Sequence, residues 1–306
     1  MNVLGWIISL FAGCLDGQLR IVLKRSQAPL LPFLLIAETV ASALLAVPLA
    51  ISGIPVIKPL FWVCLMIVGP LLAVGLGLVG TAAKISSISV VGVYMCLTPT
   101  FMLLVAPILH QARPTSLGVL GILVTTAGIY TLNMESARER WSVPIVRALS
   151  DRGGRMMIAV AALYAFTANV FAIGIDNSSG PAYAFGAHCS MFLTLLCWCW
   201  WKQGFQFWRE LRGRWTDCIK GGMCIGLSDI ALPLAYSHLS VMTLVIIGKR
   251  TGQTLYGSVV AMLLGGPLPP GHGSRFADER RAVGFRLLGA CLCLLGMTIV
   301  ILWGKR

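Results

Sequence analysis

The chain has 306 residues, of which 57% are hydrophobic and only 11% are charged. Soluble domains carry about 25% charged residues, so this composition excludes an ordinary soluble protein and indicates a membrane protein. The net charge of +13 does not predict nucleic-acid binding, because the arginines lie between apolar segments, where they orient the chain and contact anionic headgroups. The ten cysteines predict neither a disulfide scaffold nor a zinc site, because most lie in apolar runs and the C-x-C pairs lack histidine partners.

Ten apolar segments follow one another along the chain, and each is near the length of about 20 residues that a membrane-spanning helix needs. The eighth is the weakest, because it is short and contains Asp229. The predicted fold is therefore an all-α polytopic membrane protein with ten transmembrane helices. The segments are 3–23, 29–51, 59–82, 86–109, 116–134, 156–175, 181–201, 219–236, 241–264 and 282–303.

The two halves of the chain share residues at nearly constant offsets. Near the second and seventh segments, a shift of 152 relates Ser26, Pro29, Phe33 and Leu44 to Ser178, Pro181, Phe185 and Leu196. The sequence thus predicts a five-helix repeat in 1–134, an Arg-rich linker in 135–155 and a second five-helix repeat in 156–306. An odd number of spans inverts the second repeat relative to the first, which is a layout of secondary transporters.

The fourth and fifth segments carry a loose but extended pattern, AAKISSISVVGVYMCLTPTFMLLVAPILHQARPTSLGVLGILVTTAGIY. A Ser-rich entry is followed by Pro99, a short polar turn and a Gly-rich span that ends in a Gly-aliphatic pair at Gly128. This pattern resembles the EamA-like family of the drug/metabolite transporter superfamily, and the resemblance covers nearly the whole chain. It implies ten spans in two inverted repeats and transport of a small metabolite. The chain departs from the pattern at Gln111, where the family often has Glu, whereas the second half keeps Glu279.

The ninth segment, VMTLVIIGKRTGQTLYGSVVAMLL, has the adjacent cations Lys249 and Arg250 near its middle. Each costs about 2.5–3.5 kcal/mol at the centre of a spanning helix, and such residues usually line a pathway. Gln253 and Tyr256 extend the polar stripe by a further one to two turns. We expect these four residues to bind the substrate and one cation to face it. Since uncompensated positive charge favours an anion, we expect a carboxylate or phosphate on the substrate.

The same segment resembles the ninth span of sugar-phosphate and nucleotide-sugar transporters in its Lys-Arg dipeptide and in the position of that dipeptide. Gly248 and Gly252 lie one turn apart on it and form a small-xxx-small pair. Such a pair lets two helix backbones approach closely. We therefore expect another helix to pack directly on this side of the ninth span.

Other ionisable residues lie within the apolar segments. Asp16 and Arg20 are one turn apart, which suits a self-neutralising ion pair. Glu38 and Asp229 each have three possible roles: binding a cationic group, carrying a proton, or neutralising Lys249 or Arg250. His188 is interpreted as a hydrogen-bonded interior histidine, because a single histidine makes no metal site. We expect spans 1, 3, 4, 6, 8 and 9 to line a polar cavity with Glu38 nearby, and spans 5 and 10 to lie at the periphery.

The leading functional prediction is a permease that moves a small, anionic metabolite by alternating access. The alternatives are an exporter of a cationic amine, drug or amino acid that uses Glu38 and Asp229, and a non-transporting membrane subunit. The chain has no GxxxxGK[ST], HExxH or GxSxG motif, so neither ATP hydrolysis nor another enzyme activity is predicted. The expected partners are a small-molecule substrate and the lipid bilayer, without nucleic acid, metal or cofactor, and a homodimer is left open.

The expected location is the inner (plasma) membrane of a bacterium. Lys and Arg concentrate in alternate connections, whereas the remaining four connections carry only Lys58 and Arg113. The positive-inside rule then places both termini outside the cytoplasm. The family resemblance implies the opposite orientation, with both termini inside. Both arguments place the two termini on the same side, because the number of spans is even.

Overall fold

The computed structural model describes residues 3–26, 28–85, 95, 97–109, 115–132, 152–204 and 213–263, together with seven positions between 288 and 299. Every regular element in these ranges is a helix, which confirms the all-α fold class. In chain order the helices are α1 (Val3–Arg25), α2 (Leu30–Ser52), α3 (Pro59–Ile85), α4 (Leu97–Leu109), α5 (Ser116–Leu132), α6 (Arg152–Asp176), α7 (Gly180–Gln203), α8 (Trp215–Leu239) and α9 (Met242–Leu263).

Six of these helices, α1, α2, α3, α6, α7 and α8, are long and apolar enough to cross a bilayer. Their outward faces are also apolar, since Met66 on α3 is 78% exposed and Trp201 on α7 is 86% exposed. A helix that is apolar on both its inner and its outer face suits lipid better than water. The chain is therefore a polytopic membrane protein.

The helix bounds agree with most of the predicted segments. The eighth segment differs most, because α8 continues to Leu239 and is 25 residues long despite Asp229. The sixth begins earlier than predicted, at Arg152, so the helix includes the end of the predicted linker. The first part of the fourth segment, most of the tenth and the linker residues 135–151 lie outside the described residues, as do Gln111 and Glu279.

The helices pack across the two halves of the chain. α1 packs most extensively along α8 and α9, while α6 packs along α3 and α4. α2 lies along α7 and α8, and α7 lies along both α2 and α3. Most of the extensive contacts therefore join a helix before the linker to a helix after it. This arrangement brings the polar residues of α1, α2, α7, α8 and α9 to a common centre.

The α1–α9 contact is the closest of these, and glycines on both helices make it possible. A Cβ atom on Gly13 would collide with the backbone carbonyl of Lys249, and one on Gly252 would collide with the carbonyl of Leu10. The Ser9 hydroxyl also donates a hydrogen bond to the carbonyl of Val245 at 2.6 Å. The structure thus confirms that another helix backbone packs against the glycine pair of the ninth span.

Two residues shape the connections that hold the central helices in place. Ser179 caps the N-terminus of α7 by accepting a hydrogen bond from the amide of Ala182 at 3.3 Å. Ser240 ends α8 in the left-handed conformation with φ of 57°. Only Val241 then separates it from α9. Since α8 and α9 carry Asp229 and Lys249, this short turn limits how far the two residues can separate.

The Gly13 position gives a test of the α1–α9 packing. We expect Gly13→Ala to lower the thermal unfolding temperature of the protein in detergent, because overpacking a close contact costs about 1–3 kcal/mol. The matched control is Gly77→Ala, whose added Cβ would lie 3.5 Å from the Trp198 ring, in ordinary contact. An equal loss of thermal stability in the two variants would contradict the close α1–α9 packing.

Candidate functional site

Lys249 lies at the centre of a buried network of charged side chains. Its Nζ is 3.2 Å from Asp229 Oδ1 on α8 and 3.3 Å from Asp16 Oδ2 on α1. The Ser228 hydroxyl supports Asp16 by donating a hydrogen bond to Oδ1 at 2.9 Å. A buried cation is tolerated when it is paired and its donors are satisfied. Lys249 therefore links three helices instead of facing lipid.

Arg250 has different surroundings from its neighbour. It donates a hydrogen bond to Gln253 Oε1 at 3.0 Å, and its guanidinium carbon lies 5.6 Å from the centre of the Tyr164 ring on α6. Its distance to Asp16 Oδ2 is longer, at 3.7 Å. Adjacent residues on a helix point about 100° apart. This geometry explains why the two cations contact different partners, although they share Asp16.

His188 connects two carboxylates that belong to different helices. Its Nδ1 lies 2.8 Å from Glu38 Oε2 on α2, and its Nε2 lies 3.1 Å from Asp229 Oδ2 on α8. Glu38 is fully buried, and its other oxygen, Oε1, has no hydrogen-bond partner among the described residues. Because Asp229 also contacts Lys249, the polar contacts run without a break from Glu38 through His188, Asp229, Lys249 and Asp16 to Arg250.

The network lies deep in the membrane. With a helix rise of about 1.5 Å per residue, its members lie about 10–15 Å from the nearer end of their helices. The hydrocarbon core of a bilayer is about 30 Å thick, so this depth is close to the midplane. Charged groups at this depth usually serve transport, because their burial costs free energy that packing alone does not require.

The charged residues border a cavity of about 140 Å³. At about 30 Å³ per water molecule in the liquid, this volume holds about five water molecules. The walls between the charged groups are apolar side chains of α1, α3, α6, α7, α8 and α9. The polar lining residues are Asp16, Arg20, Glu38, Tyr164, Thr167, His188, Asp229, Lys249, Arg250 and Gln253.

Most of the predicted site residues meet at this cavity. Gln253 lines it, as do the two cations, Glu38 and both aspartates. Arg20 also lines it, and the structure places its predicted partner Asp16 against Lys249 and Arg250. Tyr256 is not among the lining residues; its hydroxyl donates a hydrogen bond to Gln18 Oε1 at 2.6 Å.

The helices that line the cavity differ partly from those expected. α1, α3, α6, α8 and α9 contribute, and α2 supplies Glu38, as expected. α7 contributes His188 and Met191, which the sequence analysis did not anticipate for this span. Among the described residues, α5 contributes no lining residue, as expected, and the fourth predicted span, 86–109, contributes Met95. Glu38 and His188 are 150 residues apart, close to the shift of 152 that relates the two halves near these segments. This separation was the signal in the sequence for placing α7 opposite α2.

The cavity carries no large excess of positive charge. Among the described lining residues, Asp16, Glu38 and Asp229 oppose Arg20, Lys249 and Arg250. The sequence analysis expected uncompensated positive charge at Lys249 and Arg250, and the structure instead places carboxylates beside both cations. Asp16 and Asp229 balance Lys249 directly, and both retain partial exposure toward the cavity, at 19% and 23% of their side chains.

The described residues contain no group of three or more His, Cys, Asp or Glu side chains arranged to hold a metal ion. His188 is hydrogen-bonded to Glu38 at 2.8 Å and forms an ion pair with Asp229 at 3.1 Å. The contacts of the network are thus ion pairs and hydrogen bonds.

Comparisons with known proteins show the fold and no function. No family model and no curated protein matches the chain. A solved structure described as "Crystal structure of protein" matches with a TM-score of 0.66 over 100% of both chains, at 15% sequence identity. This similarity establishes that the helical architecture has been observed in another protein. It assigns no substrate or activity.

Lys249 gives a test of the charge network. We expect Lys249→Met to reduce the free energy of unfolding by about 3–5 kcal/mol, because it leaves Asp16 and Asp229 close together without their shared cation. Adding Asp229→Asn should recover part of this loss, since one of the two negative charges is then removed. Thermal unfolding in detergent measures both effects, with the exposed Lys24→Met as the control. Equal stability of the Lys249 and Lys24 variants would show that the network does not hold the helices together.

Proposed function

We propose that the protein is a secondary transporter that moves a small metabolite across the membrane by alternating access. The observation that carries this proposal is the cavity near the middle of the helices, bordered by charged residues from several helices. A cavity for a small solute and intramembrane charges that face it are the requirements of a permease. A non-transporting subunit would need neither, so their convergence favours transport over that alternative.

The helix packing supports the two inverted five-helix repeats of the proposal. In two five-helix repeats, α1 corresponds to α6, α3 to α8 and α4 to α9. The α1–α8 contact then corresponds to the α6–α3 contact, and the α1–α9 contact corresponds to the α6–α4 contact. The α2–α8 contact likewise becomes α7 with α3. All of these pairs are among the extensive contacts. The proposal includes a tenth span after α9, which completes the second repeat.

We place the protein in the EamA-like branch of the drug/metabolite transporter superfamily on the basis of the sequence pattern in the fourth and fifth spans. The described helix order fits the ten spans of that family. The corresponding location is the inner membrane of a bacterium. The proposal assigns the chain no enzyme activity, and its energy source is an ion or solute gradient.

Arg250 is the proposed contact for the substrate. Both cations line the cavity, but Lys249 is held between two carboxylates, whereas Arg250 lies over Tyr164 and farther from Asp16. A guanidinium can bind a carboxylate or phosphate through two parallel hydrogen bonds. Gln253, which accepts from Arg250, keeps the guanidinium oriented. We therefore propose a substrate with one anionic group, which Arg250 binds while Lys249 maintains the network.

A second candidate is an exporter of a cationic amine, drug or amino acid. Its support is the partial exposure of Asp16 and Asp229 toward the cavity, because an exposed carboxylate can bind an ammonium group. In this case the substrate would replace Lys249 as the partner of Asp229. A substrate with both charges, such as an amino acid, would contact Arg250 and Asp229 together.

Uptake and efflux of a metabolite panel by the protein in proteoliposomes test these proposals. We expect anionic metabolites to be transported and Arg250→Ala to reduce their uptake about 10-fold to 100-fold, because hydrogen bonds to charged groups contribute about 1.5–3 kcal/mol. Arg250→Lys should be intermediate, since it keeps the charge but loses the paired hydrogen bonds. Arg25→Ala, at the exposed end of α1, is the matched control.

Charge-changing variants separate the two candidates. If Lys249→Ala and Arg250→Ala leave transport intact, while Asp229→Asn or Glu38→Gln abolishes uptake of a cation, the anion proposal is wrong. If no member of the panel moves in either direction, the transporter proposal itself fails.

A further inference from the structure

The His188 contacts require a particular number of protons. A hydrogen bond needs one proton between its two heavy atoms, and neutral imidazole carries only one N–H. His188 nevertheless lies within hydrogen-bond distance of two carboxylates, one at each ring nitrogen. With a neutral imidazole and two ionised carboxylates, one of these contacts would bring two lone pairs together. The hydrogen bond between Nδ1 and Glu38 and the ion pair between Nε2 and Asp229 are therefore both satisfied when the three side chains hold one additional proton.

Asp229 is the least suitable of the three residues to carry that proton. Its Oδ1 accepts a hydrogen bond from the Lys249 ammonium at 3.2 Å, which stabilises its ionised form. Among the described residues Glu38 contacts no Lys or Arg side chain, and it is fully buried. The additional proton is therefore shared by His188 and Glu38. It forms either an imidazolium that donates to both carboxylates or a protonated Glu38 that donates to His188 Nδ1.

The other helices around α7 bring no competing charge to His188 among the described residues. α2 supplies Glu38, α8 supplies Asp229, and α9 acts through Lys249. α3 has Lys84, but its Nζ donates to the Ala28 carbonyl at 2.8 Å, at the end of the helix. α6 contributes Tyr164, which lies against Arg250, and Asp176, which accepts from the Tyr236 hydroxyl at the end of α6. The proton count at His188 thus depends on the two carboxylates.

We propose that His188 and Glu38 form the coupling-proton site of the transporter, with one proton bound in the conformation described. The inference rests on the proposed transport function and adds the identity of the coupling ion. When the proton leaves, one buried carboxylate faces an imidazole lone pair, which carries the cost of an unsatisfied buried charge. Because the contacts join α2, α7 and α8, deprotonation favours their separation. Asp229 and Lys249 connect this event to the substrate contact at Arg250.

The protonation of His188 can be measured without a substrate. Histidine nitrogen-15 NMR of the full chain in lipid nanodiscs distinguishes a ring with two N–H groups from a ring with one. His188→Gln identifies the His188 signal among the four histidines, and His238→Gln, at the end of α8, is the control. At pH 7 we expect one of two states for wild-type His188. Either both ring nitrogens carry an N–H, or Nε2 carries the N–H and Nδ1 accepts a hydrogen bond from Glu38.

Glu38→Gln provides the sharper variant. The amide nitrogen can donate to His188 Nδ1 without an additional proton, so the contact persists with a neutral histidine. We expect the variant to fold and its His188 to carry a single N–H, donated from Nε2 to Asp229. The proposal is overturned if, in the wild type at pH 7, the carboxyl carbon-13 signal of Glu38 is that of an ionised carboxylate while His188 is a neutral ring.

Transport measurements then test coupling separately from transport itself. In proteoliposomes, we expect a pH gradient to increase accumulation of a transported metabolite at least several-fold in the wild type and to have no effect in Glu38→Gln. The rate of metabolite exchange without a gradient should depend on pH in the wild type and lose that dependence in Glu38→Gln, a result that a merely structural role of Glu38 would not give. Transport that ignores the pH gradient overturns coupling alone. A proton at His188 without transport of any panel member overturns the transport function and leaves the proton site standing.

Discussion

The described structure depends on keeping charges paired in a medium that does not solvate them. Lys249 would be costly in the membrane without Asp16 and Asp229, and each aspartate would be costly without Lys249. Since the three residues belong to α9, α1 and α8, their mutual stabilisation fixes the positions of three helices. The apolar packing around them then has to accommodate these positions. The ion network therefore contributes specificity to the helix arrangement, whatever its net contribution to stability.

The same network gives the site two regions with different chemistry. Around Arg250, the guanidinium lies beside the Tyr164 ring and the Gln253 amide, at the edge of the cavity. Around His188, which is itself buried, each ring nitrogen lies against a carboxylate. Asp229 belongs to both regions, because one of its oxygens contacts His188 and the other contacts Lys249. A change in one region can reach the other through a single carboxylate.

The sequence predicts the elements better than the partners. Apolar segment length and the glycine pair at Gly248 and Gly252 are local features, so the spans and the close helix contact could be predicted directly. The partner of Glu38 could not, because His188 lies 150 residues away and several acids could have faced it. Tyr256 shows the same limit: its position on the polar stripe of α9 suggested the cavity, but helix rotation turns its hydroxyl to Gln18.

The close contact between α1 and α9 constrains how the molecule can change shape. The glycines leave no layer of flexible side chains between the two backbones at Gly13 and Gly252, so the helices cannot slide past each other without collision. We expect the two helices to move together as one rigid unit, although they are far apart in the sequence. A conformational cycle that moved the whole first half relative to the second would have to separate α1 from α9. We instead expect helices to slide past each other where long side chains lie between them, away from the α1–α9 contact.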